Sequence, residues 1–396
     1  MRLEAAFKKN HVLLFLLPTA IISLFLFIYL GTAPFYHEKS ATPKTTAEVR
    51  LISRQISKYC MSLDANCWEE KVEKELLANY SINQVLIALY DFDQYFSCHA
   101  FTHFVGRTLY RQTRSIADSY AQIDFTCHGG TYHGVIEAYL DEKKIKISQL
   151  SGQKLRAICE DSQRLTNKNP NQVYTECLHG FGHAFMFITD SDLLESLKFC
   201  DRLLTHGEEE RCYGGAFMEN STSSTNSDHP TKWLKKDDKF YPCNILADHY
   251  QRQCYYYQAN YLIKLTIHNY PSVFAHCDGL LTSNRYQCIL GLGANLAGFS
   301  RQAGISGAAK ICSLGRNDAK NICVEGAIRS LMARYGGNID NVLKFCRYVE
   351  DSFKNGCLSE LAYVASGWGL GYQKIETICK ESGIHYLSCL NDSQKI

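Results

Sequence analysis

The chain has 396 residues, of which 46% are apolar and 21% are charged, and this composition excludes a disordered protein. Its 42 basic and 40 acidic side chains leave a formal net charge of +2, so there is no electrostatic case for a nucleic-acid partner. The 18 cysteines and only 7 prolines predict a helical protein that is crosslinked by disulfides.

The N-terminal region predicts a membrane anchor. Residues 12–30 carry no charge and are long enough to span a bilayer as a helix, which makes the membrane their predicted partner. Arg2 and Lys8 precede this run, so residues 1–11 are expected to stay in the cytosol. A cleaved secretory signal is the alternative, but the apolar run is long, and Pro34 directly follows the small residues 31–33, which favours an uncleaved signal anchor.

The remainder of the chain is predicted to lie on the far side of the membrane, in a periplasmic, extracellular or lumenal space. Residues 31–50 are expected to form a tether, and residues 51–396 an exported domain. All 18 cysteines lie between Cys60 and Cys389, inside that domain. An oxidising compartment would allow them to pair.

The spacing of the cysteines predicts a repeat. From Cys243 onward the first cysteines of successive pairs lie 34, 35, 34 and 33 residues apart, and such a period indicates stacked units. Apolar residues at helical intervals flank each pair, so each unit is expected to be a helical hairpin closed by one disulfide. Nine pairs are predicted: Cys60–Cys67, Cys98–Cys127, Cys159–Cys177, Cys200–Cys212, Cys243–Cys254, Cys277–Cys288, Cys312–Cys323, Cys346–Cys357 and Cys379–Cys389.

The predicted fold is therefore all-α, a solenoid-like stack of disulfide-stapled hairpins whose regular part covers about 243–396. Glycine recurs three residues after the second cysteine, for example at Gly215 and Gly326, which predicts close contact between helix backbones. This layout is similar in outline to the cysteine-stapled Sel1-like helical repeats, whose loops between cysteines are shorter. The resemblance concerns architecture and implies no function.

Three short strings in the hairpins at about 84–220 each carry two histidines just after a cysteine. Histidines four residues apart share a helix face, as metal-ligating pairs do, and imidazole suits zinc, iron or copper. Three histidine pairs at equivalent repeat positions are expected to face one pocket. Two of them have this spacing, whereas His128 and His133 are five residues apart with two glycines between them, so His128 is expected in the turn ahead of the helix. The predicted ligands are His99 and His103 in CHAFTHFVGR, His128 and His133 in CHGGTYHGVIE, and His179 and His183 in CLHGFGHAFM.

Two carboxylates complete the predicted site. Glu137 follows His133 by four residues and Glu219 lies in the next hairpin, so either is placed to act as a catalytic base on metal-bound water. The cluster resembles in plan the deoxyhypusine hydroxylases, in which His-Glu pairs on stacked hairpins hold two irons. The repeated His-Glu dipeptide of that family is absent here, so the resemblance does not imply its reaction.

Two classes of function fit this pattern. The first is a membrane-anchored metal-dependent hydrolase or oxidoreductase with its site on the N-terminal hairpins. The second is a non-catalytic scaffold that binds a protein or glycan, in which the histidines hydrogen-bond the backbone or stack on tyrosines.

Overall fold

A computed structural model describes residues 43–60, 65–90, 98–142, 150–164, 169–223, 231–316, 318–335 and 337–393. All regular secondary structure in these ranges is helical, as the sequence predicts. None of the helices in these ranges is both long enough and apolar enough to cross a bilayer. The predicted anchor at 12–30 lies outside the described residues.

The N-terminal helices run from Pro43 to Ser223. Pro43 belongs to the segment 31–50 that was assigned to the tether, but Val49 is fully buried, so the end of that segment is part of the folded domain. The helices are α1 (Pro43–Cys60), α2 (Ala65–Lys71, continued by a π-helical turn at Val72–Leu77), α3 (Ile82–Tyr90), α4 (Cys98–Thr113), α5 (Ile116–Gln122), α6 (Gly130–Glu142), α7 (Gly152–Glu160, followed by a 3-10 turn at Asp161–Arg164), α8 (Pro170–Ile188), α9 (Leu193–Cys200) and α10 (His206–Ser223).

The C-terminal helices follow the cysteine period. One of them is unexpectedly long, because α13 joins the second helix of one hairpin to the first helix of the next without a break. These helices are α11 (Asp248–Leu265), α12 (Tyr270–Asp278), α13 (Thr282–Cys312), α14 (Ala319–Arg334), α15 (Asp340–Tyr348), α16 (Asp351–Gly367), α17 (Tyr372–Lys380, followed by a 3-10 turn at Gly383–His385) and α18 (Tyr386–Ser393).

Local sequence signals explain where several helices begin. Asn169 precedes Pro170 at the start of α8, and its side chain accepts hydrogen bonds from two backbone amides of the first turn. Asp192 caps α9 and Asn269 caps α12 in the same way. These residues satisfy backbone amides that would otherwise lack a partner, so each short connection ends at a defined position.

Nine of the helices in the described ranges form a continuous row. Each of α4, α6, α8, α10, α11, α13, α14, α16 and α18 packs against the next one in that order. Glycines permit close approach within this row: a Cβ atom at Gly215 would lie 2.0 Å from the carbonyl oxygen of His179, and one at Gly326 would lie 2.0 Å from that of Leu290. The helix backbones are therefore in direct contact at these positions, as the glycine pattern predicts.

Eight of the nine predicted disulfides join described cysteines, and each links the sequence neighbours that the hairpin model pairs. Cys127 is also disulfide-bonded, whereas the side chain of Cys98, its predicted partner, lies outside the described part of the chain. Short crosslinked loops of this kind each stabilise the fold by about 2–3 kcal/mol through the entropy of the unfolded chain. The number of disulfides places the folded domain in an oxidising environment.

The row of helices bends enough to bring distant hairpins together. Trp368, which follows α16, contacts the ring of Phe125 at a centroid distance of 5.8 Å. The Asn169 side-chain amide also donates a hydrogen bond to the carbonyl oxygen of Trp368 at 3.3 Å, across 199 residues of sequence. The C-terminal hairpins therefore touch the hairpins that carry the histidines.

Candidate metal centre

Histidines from three neighbouring helices meet in one buried cluster. His99 and His103 come from α4, His133 from α6, and His179 and His183 from α8. Ring centroids of neighbouring histidines lie 4.5–5.5 Å apart, and the rings of His133 and His183 stack with an interplanar angle of 13°. Four of them form a tighter set, which we call the four-histidine group: His99, His103, His133 and His183, each offering one ring nitrogen within 4.8 Å of the other three.

Carboxylates from the next helix in the row hold two of the rings. The Nδ1 atom of His103 on α4 lies 2.7 Å from Oε1 of Glu137 on α6. In the same way, Nδ1 of His183 on α8 lies 2.9 Å from Oε2 of Glu219 on α10. With Nδ1–H donating to the carboxylate, the Nε2 lone pair of each ring is left facing the cluster.

Backbone carbonyls hold the two histidines that lie one turn earlier. Nδ1 of His99 lies 2.8 Å from the carbonyl oxygen of Cys127. Cys127 and His128 both have φ of 58°, so a left-handed turn ahead of α6 directs that carbonyl towards His99. On α8, the backbone of Arg211 hydrogen-bonds the ring of His179. The pairs on α4 and α8 therefore have matching supports, with one carboxylate and one carbonyl each.

His133 presents Nδ1 to the cluster, whereas the other rings present Nε2. Its Nε2 atom lies 3.0 Å from Oε2 of Glu176 on α8, and in the tautomer that carries the proton on Nε2 the ring donates to that carboxyl group. The remaining nitrogen, Nδ1, is buried and has no hydrogen-bond partner among the described residues. An unprotonated buried nitrogen without a partner is costly, and a bound cation would satisfy it.

The distances between facing nitrogens also fit a cation. Nε2 of His103 lies 3.1 Å from Nε2 of His99, and Nε2 of His183 lies 3.3 Å from Nε2 of His179. When the rings of these two pairs are neutral and donate through the opposite nitrogen, lone pairs face one another in both pairs. Two nitrogens bound to one tetrahedral zinc would be about 3.3 Å apart, given Zn–N bonds of about 2.0–2.1 Å.

The surroundings keep most of the rings neutral, the form that binds metal. Burial and then the charges of neighbouring histidines hold the pKa of His99 and of His133 well below the usual range. Burial also lowers the pKa of His183 despite the nearby Glu219.

His103 is the exception among these rings. Burial acts against its charge, but the Glu137 carboxylate outweighs burial and raises the pKa of His103. Burial would likewise raise the pKa of Glu137, yet His103 and Arg107 lower it to about 2, so the carboxylate is ionised.

The predicted site residues differ in how close they lie to the four-histidine group. His99, His103, His133 and His183 lie in the four-histidine group, and His179 is adjacent to it. His128 lies in the left-handed turn, and burial and Arg334 lower its pKa to about 4. Glu137 and Glu219 both bind histidine rings, so the geometry supports a positioning role for them; their catalytic role stays a prediction.

Two residues of the site were missed by the sequence analysis. Glu176 lies three and seven residues before His179 and His183, on the same face of α8, and this helical spacing was the available signal. Arg107 lies one turn after His103 and reaches Glu137, with a nitrogen–oxygen distance of 3.7 Å. It also binds Glu69 of α2, so buried charges link the site to the N-terminal helices.

Comparison with protein-family models, with curated proteins and with solved structures finds no match to this chain. Function is therefore inferred from the site alone.

Proposed function

We propose that this chain is a membrane-anchored, extracytoplasmic metal-dependent enzyme, a hydrolase or an oxidoreductase, whose metal is held by the four-histidine group. The observation that carries the proposal is the orientation of the rings. An oxygen atom lies within hydrogen-bond distance of one nitrogen of each ring, so each neutral ring can present its other nitrogen, unprotonated, to the cluster. This arrangement of ligands and outer carboxylates is typical of metal sites and is not required for packing.

The scaffold argues for a dedicated site. Equivalent positions in later hairpins carry no histidine, so the fold does not depend on these side chains. The rings of His133 and His183 are fully buried, and burying polar rings with facing lone pairs would destabilise a protein that had no use for them. A purely structural role would more simply be filled by apolar side chains.

The cellular location follows from two arguments of different weight. The eight disulfides that join described cysteines favour an oxidising space outside the cytoplasm. The uncharged run at 12–30 and its basic flank support a single-pass anchor with the N-terminus in the cytosol.

The identity of the metal would decide between the two reaction types. Imidazole nitrogens accept zinc, copper and iron. Zinc would supply a Lewis acid for hydrolysis, whereas copper or iron would supply electron transfer. In either case Glu137, Glu219 and Glu176 would hold the ligand rings in position.

The test uses the full-length chain, purified in detergent with its disulfides oxidised. Its metal content is measured by mass spectrometry and compared with that of a His99→Ala/His183→Ala variant. We expect about one or two metal ions in the wild type and less than a tenth of that in the variant. Circular dichroism should show the same helix content in both, because the disulfides are outside the site. A wild-type chain that binds none of the three metals would overturn the proposal and leave the scaffold function.

A further inference from the structure

The angles between the histidine rings show which of them can bind the same cation. An imidazole nitrogen binds a metal ion along its lone pair, which lies in the plane of the ring. Two rings on one ion therefore have planes that meet at that ion, and their faces cannot overlap. On one tetrahedral zinc with Zn–N bonds of about 2.0–2.1 Å, the ring centroids of two histidines would be about 5 Å apart.

His133 and His183 do not meet this condition, because their rings are stacked. The ring centroids lie 4.5 Å apart, and the ring planes are inclined by only 13°. Nearly parallel planes of stacked rings do not cross close to either ring, so one ion cannot lie on the lone pairs of both. The four-histidine group contains both rings, and it therefore divides between two positions.

His99, His103 and His133 meet the condition among themselves. Their ring planes are inclined to one another by 64–76°, and their centroids lie 4.7–5.4 Å apart. The Nε2 atoms of His99 and His103 are 3.1 Å apart, and Nδ1 of His133 is buried without a hydrogen-bond partner among the described residues. These three nitrogens suit one ion, and that ion would satisfy the Nδ1 atom of His133.

His179 and His183 form a second pair of the same kind. Their planes are inclined by 57°, their centroids lie 5.1 Å apart and their Nε2 atoms 3.3 Å apart. The supports repeat those of the pair on α4, with the Glu219 carboxylate on His183 and the backbone of Arg211 on His179. An ion bound by the first three rings would leave this second pair without a cation.

We propose that the histidine cluster binds two metal ions, the first through His99, His103 and His133 and the second through His179 and His183. This proposal rests on the function proposed above and refines it. Zinc in proteins is usually held by four ligands, so three and two histidines leave positions for water or substrate on both ions. Two neighbouring zinc ions stabilise the attacking and leaving oxygens of a displacement, so with zinc the arrangement favours hydrolysis at a carbonyl or phosphoryl group.

The test counts zinc ions on the full-length, disulfide-oxidised chain by native mass spectrometry. We expect about two ions on the wild type, since each set of rings has its own facing nitrogens. His99→Ala/His103→Ala should retain about one ion, and so should His179→Ala/His183→Ala, because each variant removes the ligands of one position. With Cu²⁺ in place of zinc, electron paramagnetic resonance should show magnetic coupling between two ions in the wild type and none in either variant.

His249→Ala/His276→Ala is the matched control. It removes two histidines from the C-terminal half of the chain, where they are exposed and partly exposed, and it should bind the same number of ions as the wild type. Circular dichroism should show the same helix content in all the variants. A single ion on the wild type, or loss of all zinc from either pair variant, would overturn this inference. A wild-type chain that binds no metal would instead overturn the proposed function, so the two failures are distinct.

Discussion

Helices α8 and α14 occupy the same place in their hairpins but present different chemistry. On α8, His179 and His183 lie two and six residues after Cys177. On α14, Glu325 and Arg329 lie two and six residues after Cys323. The residues at these two positions therefore face neighbouring helices in both the N-terminal and the C-terminal half of the row.

The next helix supplies a carboxylate in both cases. Glu219 on α10 lies 2.9 Å from Nδ1 of His183, and Glu360 on α16 accepts a hydrogen bond from Nε of Arg329 at 3.2 Å. In the C-terminal cluster the arginine is shared by two acidic side chains, so each charge has an opposite charge beside it. In the N-terminal cluster, histidine ring nitrogens face one another with no acidic side chain between them. The comparison teaches that the scaffold provides positions, while the choice of side chain decides whether a cation is needed.

The largest difference in metal affinity is expected from matched substitutions six residues after the cysteine, at His183 on α8 and Arg329 on α14. His183→Gln removes one ligand and should lower metal affinity by more than the roughly 10–100-fold typical of losing an outer partner. Arg329→Gln should leave metal affinity unchanged. Competition with a chromophoric chelator measures both. Equal losses of metal affinity in the two variants would contradict the proposed difference between the N-terminal and C-terminal clusters.

The next largest difference in metal affinity is expected between substitutions of the two carboxylates, Glu219 and Glu360. Glu219→Gln keeps the size of the side chain but weakens the bond to His183, so metal affinity should fall by about 10–100-fold. Glu360→Gln, which changes the corresponding carboxylate on α16, should have no effect on metal affinity. The same chelator competition applies. A stronger effect from Glu360→Gln would place the site elsewhere.

Glycine substitutions should lower stability in both the N-terminal and the C-terminal half of the row, but they should weaken metal binding only in the N-terminal half. A Cβ at Gly134 would lie 2.0 Å from the carbonyl oxygen of His103, as close as the one at Gly326 would lie to Leu290. Each change to alanine should lower the free energy of unfolding by about 1–3 kcal/mol, because the helices must separate. Urea unfolding with intact disulfides measures this cost. Only Gly134→Ala should also weaken metal binding, since it moves α4 away from α6.

The smallest expected effect is a pH dependence in the C-terminal cluster. Burial and the neighbouring Glu325 raise the pKa of Glu360 from 4.5 to about 7. The folded state then binds this proton more tightly than the unfolded state. Its contribution to stability is therefore complete below about pH 4.5 and is lost as the pH rises through 7. Water reaches the side chain, which is 22% exposed, so the contribution should be on the order of 1 kcal/mol.

Glu360→Gln mimics the protonated form and isolates this effect. The difference in unfolding free energy between wild type and variant should change between pH 4.5 and pH 8, in favour of the variant at higher pH. A constant difference across that range would contradict the assignment. The histidines of the N-terminal cluster are common to both proteins, so any change in their protonation cancels in this difference.

The sequence predicted the hairpins because their signals are local. The cysteine period and the helical spacing of apolar residues both act within about 35 residues, and the eight described disulfides follow them. Pairings between hairpins were harder to predict. Glu137 was grouped with His133, four residues earlier on α6, but it binds His103 on α4. Which helix faces which depends on the backbone contacts in the row, and spacing along one helix does not contain that information.

His128 shows a second reason why a pattern can mislead. It stands beside a cysteine like His99, but its backbone adopts the left-handed conformation, so the helical register of α6 does not extend to it. The glycines that follow it in CHGGTYHG indicate a turn, as was expected for this residue.

The contact of Trp368 with Phe125 and Asn169 alters how such a repeat can come apart. In an open solenoid the terminal hairpins can fray one at a time, because each touches only its neighbours. Here the hairpin next to Trp368 is held from both directions along the chain. Opening the C-terminal repeats would therefore disturb the connection that leads into α6, so amide hydrogens of the two regions should exchange with solvent in one cooperative event. Residues that never touch a metal would in this way help to keep its ligands in place.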